Sequence, residues 1–343
     1  MSKIMFIPLA IILAMIMVFP ACTPASTPPA TPSAPADIPT RNWKMSVVTN
    51  EDSSWTKGAR LFADMVRQCT GGKIQITVYP DGELAGGNQL KELTLLQDGS
   101  ITFTYHSNLL YTNLDQSFAV TSLPWLFTDY AQVDATLSGP AGGQLLRAAQ
   151  AQGIVGLAFG ENGFRQLTNS KLAVRQPDDL RDLRIRIPGV ELYTSIYKAL
   201  GAEPVKMNFG EVVGALKKGD IVGQENPIDI IVSAKLYEVQ SHITLWNYSY
   251  DALILGMNKK DWDGLPKSTQ DIIKQAAVEA SKEQIRLSRE AAQTQVSLLR
   301  NQGMTVTELT PEELTTFRAK MDPVYAEWSP KIGESLIQQF QVR

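Results

Sequence analysis

Two arginines stand where a charge needs a partner. In Arg184-Ile-Arg-Ile-Pro188, charged and apolar residues alternate. That period of two predicts a strand with Arg184 and Arg186 on one face and the isoleucines on the other. A guanidinium on a strand of a buried sheet requires an anion to neutralise it. Its parallel N–H donors match a carboxylate, and it stays charged at any physiological pH, a fork that lysine does not reproduce. Two readings are open: a local carboxylate such as Asp182 closes a salt bridge, or the anion comes from outside. Arg165 poses the same question in Glu161-Asn-Gly-Phe-Arg-Gln-Leu-Thr-Asn169, read as a loop after a strand, where its plain reading is surface charge.

Other chemistry is poorly supplied. There is no G-x-S-x-G, P-loop, H-E-x-x-H or G-x-G-x-x-G pattern. The chain holds two histidines (His106, His242) and two cysteines (Cys22, Cys69), too few for a zinc cluster or a disulfide framework. A Ser-His-Asp triad is thinly supported for the same reason. No cofactor and no metal is expected, and the chain is not read as an enzyme. Lys+Arg number 32 against 35 Asp+Glu, so no basic excess exists to neutralise a phosphate backbone and nucleic acid is not an expected partner. Cys69 is read as a small buried apolar side chain without a role.

The elements that must position these residues follow from periodicity. Trp43–Thr49 reads as a strand, Ser53 or Ser54 caps a helix to about Gln68, and Ile74–Tyr79 alternates as a second strand. A helix over Gln89–Gln97 leads to a strand at Ile101–Tyr105. This β-α-β-α-β rhythm with short loops predicts a doubly wound α/β lobe. The rhythm returns with strands at Ile154–Phe159, Arg184–Ile187 and Ala252–Met257. Helices are expected over Glu191–Leu200, Glu211–Lys218 and Asp229–Val239. From Ser268, read as an N-cap with Asp271 completing a capping-box-like pair, no proline or glycine interrupts the chain until Gly303. A helix of that length reaches ~50 Å at 1.5 Å per residue, more than one small domain needs, and is expected to brace two lobes. Residues 311–343 are predicted helical and packed on the second lobe.

At the N-terminus, Lys3 precedes an apolar run, Phe6 to Phe19, that is too short to span a membrane and fits an export signal. Ala21-Cys22 after it resembles a bacterial lipoprotein cleavage site, with Cys22 as lipid attachment. Residues 22–41 carry six prolines among Thr, Ser and Ala and are read as an extended linker.

Several blocks together carry a family resemblance. DLRDLRIRIP (179–188), LGAEPVKMNFGEVVGALKKG (200–219) and GQENP (223–227) resemble, in order and spacing, the solute-binding proteins of TRAP transporters (tripartite ATP-independent periplasmic transporters, DctP type). GFRQLTNSK (163–171), LPWLFTDY (123–130) and LPKSTQDIIKQAA (265–277) fit the same pattern, so the likeness runs from about Trp43 to Phe340.

The resemblance implies a two-lobed α/β fold of the periplasmic-binding-protein kind. Each lobe would hold a mixed sheet flanked by helices, with a long helix spanning both. Residues 42–162 and 252–290 would form the first lobe, and 163–251 and 291–343 the second. It implies an extracytoplasmic, monomeric protein that closes on an organic acid anion and delivers it to a membrane permease. Serving an ATP-driven importer or a sensor, or an enzymatic role, are the alternatives.

Arg186 matches the family arginine that grips the ligand carboxylate, Arg165 a supporting arginine, Asn226 a polar contact and Phe209 an aromatic wall. His106, Ser107 and Asn108 occupy a first-lobe segment that varies with ligand, and Trp55 and Tyr248 are further candidates for the cleft. The family usually carries aspartate before the glycine of the GQENP block. Here that residue is Val222, with Asp220 two positions earlier. Arg184, where lysine is common, is expected to face a loop carboxylate.

Overall fold

The computed structural model describes residues 37–341. Its strands are, in chain order, β1 (Arg41–Ser46), β2 (Ile74–Tyr79), β3 (Phe103–Ser107), β4 (Ile154–Phe164), β5 (Gln166–Asn169), β6 (Arg184–Ile187), β7 (Glu203–Lys206), β8 (Gly223–Asn226), β9 (His242–Leu245), β10 (Tyr250–Asn258) and β11 (Thr305–Glu308). They form two mixed sheets. The first has the order β2-β1-β3-β10-β4 and the second β11-β9-β5-β8-β6-β7. In the first, β1 is parallel to β2 and β3, while β10 runs antiparallel to β3 and β4. In the second, β6 is parallel to β7 and β8, and β5 antiparallel to β8 and β9.

The chain passes from the first sheet to the second through Arg165, between β4 and β5, and returns into β10. The two passages are tied together where the Arg165 amide donates to the Ser249 carbonyl at 2.9 Å. β4 and β10 pair along their length, with a bulge: Asp251 opposes Gly163 and Ala252 opposes Glu161, so Asn162 is the extra residue. A bulge re-aims side chains, and here it turns Asn162 toward Asp251. The loop expected over 161–169 is therefore strand, in β4 to Phe164 and in β5 from Gln166, and only Arg165 breaks it.

The third link is the helix Lys267–Asn301, 35 residues long. It packs on helix Ser54–Cys69 and β4 of the first lobe, and on helix Ile228–Ser233 and β11 of the second. Its seat on β4 depends on Gly160, where an added Cβ would stand 2.6 Å from the Gln284 side-chain oxygen and 2.0 Å from the Tyr105 hydroxyl. Gln284 uses that closeness to pair with the Glu161 amide (2.8 Å) and carbonyl (2.7 Å), as a neighbouring strand would.

Several expectations are corrected. Pro266, not Ser268, precedes the long helix. Lys267 pairs with Asp271, and the Ser268 hydroxyl donates to Asp37 at 2.8 Å, so no capping box forms. Ile38 is buried in the first lobe's core and β1 begins at Arg41, so ordered packing starts inside the stretch read as linker. The strand expected at Ile101–Tyr105 is shifted to Phe103–Ser107. The helix expected over 229–239 stops at Ser233, because Lys235 is left-handed (φ 52°). The C-terminal helix Asp322–Ile332 touches helix Glu191–Ala199 of the second lobe, but both it and Glu334–Phe340 also touch the turn Gln116–Ser122 of the first. Cys69 is exposed, because it sits on the outer side of the last turn of its helix. Cys22 and the apolar N-terminal run lie outside the described residues.

Candidate ligand-binding site

Between the two sheets lies a narrow cavity. From the second lobe it is lined by Arg165, Arg186, Pro188, Phe209, Asn226 and Ile230. The facing side supplies Trp55, Gln89, Ser107, Asn162 and Asp251, with Val48, Thr49 and Leu110. Hydrogen bonds cross from lobe to lobe beside the cavity. The Asn50 amide donates to Ser233 O (2.8 Å), the Ser54 N–H to Asp229 Oδ2 (2.9 Å), and Arg186 Nη2 to Gln89 Oε1 (3.4 Å).

The alternation on β6 aims Arg186 inward and leaves Arg184 at the sheet's outer end. Arg184 is half-exposed, 3.6 Å from Glu203 on the adjacent strand rather than from a loop carboxylate. Arg186 is 1% exposed. Its Nε and Nη2 donate to the Met207 carbonyl at 3.0 and 2.8 Å, and its guanidinium lies 5.8 Å from the centre of the Phe209 ring. Among the described residues Nη1 has no partner, and no carboxylate forms an ion pair with this arginine. Burial pushes its pKa down to about 10, Glu225 opposes that shift and Arg165 adds to it. The protein itself thus does not compensate this charge.

Arg165 has the opposite surroundings. Its Nε pairs with Glu225 Oε2, its Nη2 donates to Glu225 Oε1 (2.8 Å), the Glu225 carbonyl (3.0 Å) and Asn226 Oδ1 (3.1 Å), and its Nη1 donates to Asp251 Oδ2 (3.0 Å). Burial alone would lower its pKa, but the carboxylates hold it well above the usual value. Asp251 accepts further bonds from Ser107 Oγ and Asn162 Nδ2, both at 2.8 Å. Burial raises its pKa and Arg165 opposes the rise. Trp55 Nε1 donates to Asn162 Oδ1 at 3.2 Å, which fixes that amide's orientation.

The candidates separate into two groups. Arg186, Arg165, Asn226, Phe209, Ser107 and Trp55 reach the cavity wall. His106, Asn108 and Tyr248 do not; each is turned into the protein by a hydrogen bond to a residue distant in the chain. The His106 ring nitrogens lie 3.0 Å from Gln89 O and 3.2 Å from Ser107 O. Asn108 donates to Phe118 O and Thr121 Oγ1 at 2.7 Å. Tyr248 donates to Glu225 Oε2 at 2.8 Å.

The sequence matches the family of bacterial extracellular solute-binding proteins, family 7 (DctP), over residues 45–331. The chain belongs to this family. A TRAP periplasmic solute-binding protein from Ralstonia eutropha H16, solved with bound (S)-2-acetolactate, is 36% identical, with a TM-score of 0.85 over 88% of this chain and 97% of its own. A sugar-acid-binding protein from Advenella mimigardefordensis, solved with galactonate, is 31% identical, with a TM-score of 0.86 over 89% of this chain and 98% of its own. The C4-dicarboxylate-binding periplasmic protein DctP of Rhodobacter capsulatus is 33% identical over 86% of this chain and 88% of that protein.

In this DctP-family protein the wall contributed by Gln89, Asn162 and Asp251 escaped sequence reasoning, as did Glu225. Glu225 stands inside the quoted GQENP block and Asn162 inside the quoted 161–169 stretch, so both were within reach of it. Gln89 was placed at a helix start with no reason to face another lobe. The structure reverses the plain reading of Arg165: it is a buried, doubly paired cation, not surface charge.

Proposed function

We propose that this protein captures an organic acid anion between its lobes, with the carboxylate on Arg186, and delivers it to the membrane subunits of a TRAP transporter without chemical turnover. The observation that carries the reading is Arg186 itself, buried, lining the cavity and without an anionic partner among the described residues. A carboxylate there would exchange water for charge-assisted hydrogen bonds, and contacts to both lobes would give it a preference for the closed form. Asn226, Phe209, Ser107, Trp55 and Arg165 complete the assigned contact set. His106, Asn108 and Tyr248 are assigned to holding the wall. Relatives bound to 2-acetolactate, galactonate and succinate support a carboxylate ligand.

The lobes are assigned to residues 42–162 with 252–290 and 163–251 with 291–343; first-sheet strands β4 and β10 run a few residues past these bounds, to Phe164 and from Tyr250. The charge-free run before Cys22 supports export and lipid attachment at that cysteine, with residues 23–36 as the tether. Mass spectrometry of the mature protein is then expected to find an acylated Cys22, and an N-terminus elsewhere would contradict it.

The test of the central assignment is calorimetry of wild type and Arg186→Lys. The titrant is the tightest binder in a thermal-shift panel containing 2-acetolactate, galactonate and succinate. Loss of the fork is expected to weaken binding by more than ~10-fold, about 1.4 kcal/mol. Unchanged affinity would refute the assignment.

A further inference from the structure

From the charge balance of the cavity we infer that the ligand is a small hydroxylated monocarboxylate, and that a second carboxylate on the same carbon chain is selected against. This rests on the reading of Arg186 as the carboxylate anchor.

The cavity lining contains two cations, Arg165 and Arg186, and one carboxylate, Asp251. Arg165 is already outweighed, because it bonds both Glu225 and Asp251. Of its five N–H groups, those on Nε and Nη2 and one on Nη1 are directed at protein oxygens. Glu225 and Asp251 are both taken by Arg165, and the cation of the lining without a carboxylate partner among the described residues is Arg186. One ligand carboxylate fits that arginine.

A second would meet the rest of the lining, which offers amides, hydroxyls and apolar side chains but no further Lys, Arg or His, and would share the cavity with Asp251. An unpaired or like-charge juxtaposition in a buried site discriminates strongly against the ligand that brings it. Hydroxyl groups meet the opposite reception. The Gln89 Nε2 amide, buried beside Arg186, has no protein acceptor among the described residues while its Oε1 takes the arginine's bond, so it is free to donate to a ligand hydroxyl. The atoms of the ligand beyond its carboxylate meet this lining.

The experiment titrates the mature protein by calorimetry with matched pairs of acids of three to five carbons. In each pair an aldonate ending in CH2OH is set against the aldarate of equal length, which ends in a second carboxylate; 2,3,4-trihydroxybutanoate against 2,3-dihydroxybutanedioate is the central pair. The aldonate is expected to bind more than about 100-fold tighter in the best-fitting pair. An aldarate that binds as tightly as its aldonate, or tighter, overturns this inference and leaves the carboxylate anchor standing. If neither series binds, this inference falls, and the anchor reading is decided by the Arg186→Lys titration alone.

Discussion

The two ends of the cavity wall hold the same residue in opposite circumstances. At one, Arg165 is enclosed by Glu225, Asp251 and Asn226, with Tyr248 and Ser107 bonding those carboxylates in turn. At the other, Arg186 is equally buried but leans on a backbone carbonyl and one amide oxygen. The first arrangement is a scaffold: it ties β8 to β10 across the crossing point of the two sheets, and removing any member strands a charge. The second carries an electrostatic cost that the fold alone does not recover. The identity of a buried arginine therefore says little, and the carboxylates around it decide whether it serves stability or binding.

This contrast can be broken most forcefully at Arg165. Arg165→Ala is expected to destabilise the unliganded protein by ~3–5 kcal/mol, because two buried carboxylates lose their common partner. The measurement is chemical denaturation without ligand. Arg186→Lys, which costs affinity, is expected to leave that unliganded stability within ~1 kcal/mol of wild type, since no carboxylate depends on it. Comparable destabilisation in both variants would erase the distinction.

A smaller effect is expected at the rim. Asn50→Ala removes one lobe-to-lobe hydrogen bond to Ser233, worth about 1 kcal/mol, and should weaken ligand affinity by about fivefold through the closed state alone. An unchanged affinity would show that closure does not depend on that contact.

A pH-dependent effect sharpens the comparison behind the first-lobe wall, where Glu92 and His106 lie 3.6 Å apart and fully buried. Burial raises Glu92 to about 7 and lowers His106 to about 4. Unfolded, the two titrate near ~4.3 and ~6.5. Between about pH 4.5 and 6.5 each state then holds one proton on the pair, on Glu92 when folded and on the histidine when unfolded, so the pair adds no slope to stability there.

Single substitutions unbalance it. In Glu92→Gln the lowered histidine remains. Its contribution is present above pH ~6.5 and lost as pH falls toward 4. In His106→Gln the raised carboxyl remains. Its contribution is full below pH ~4.3 and lost as pH rises through 7. Denaturation midpoints across this range should therefore slope oppositely in the two variants, by up to ~1.4 kcal/mol per pH unit. Parallel profiles would contradict the assignment of the proton.

Local patterns in the sequence carried much of this architecture. The alternation at 184–187 produced β6, and the uninterrupted stretch after Pro266 produced the bracing helix, because both depend on residues near one another in the chain. What escaped was long-range. Arg165 meets Glu225 and Asp251 across 60 and 86 residues, and no local period announces such a pairing. The Asn162 bulge was hidden for a related reason: Gly163 (φ 111°) reads as a loop signal in isolation, yet pairing with β10 keeps it in a strand. His106, Asn108 and Tyr248 looked available because they are polar or aromatic. Each is turned away by a bond to a group that only the folded chain brings near.

The most direct test is a crystal structure of the protein with the tightest-binding acid of the panel. The account predicts the carboxylate oxygens about 2.7–2.9 Å from Arg186 Nη1 and Nη2, with the Arg165–Glu225–Asp251 cluster unchanged. An acid group seated on Arg165, or anywhere that leaves Arg186 bonded only to Met207 and Gln89, would contradict it.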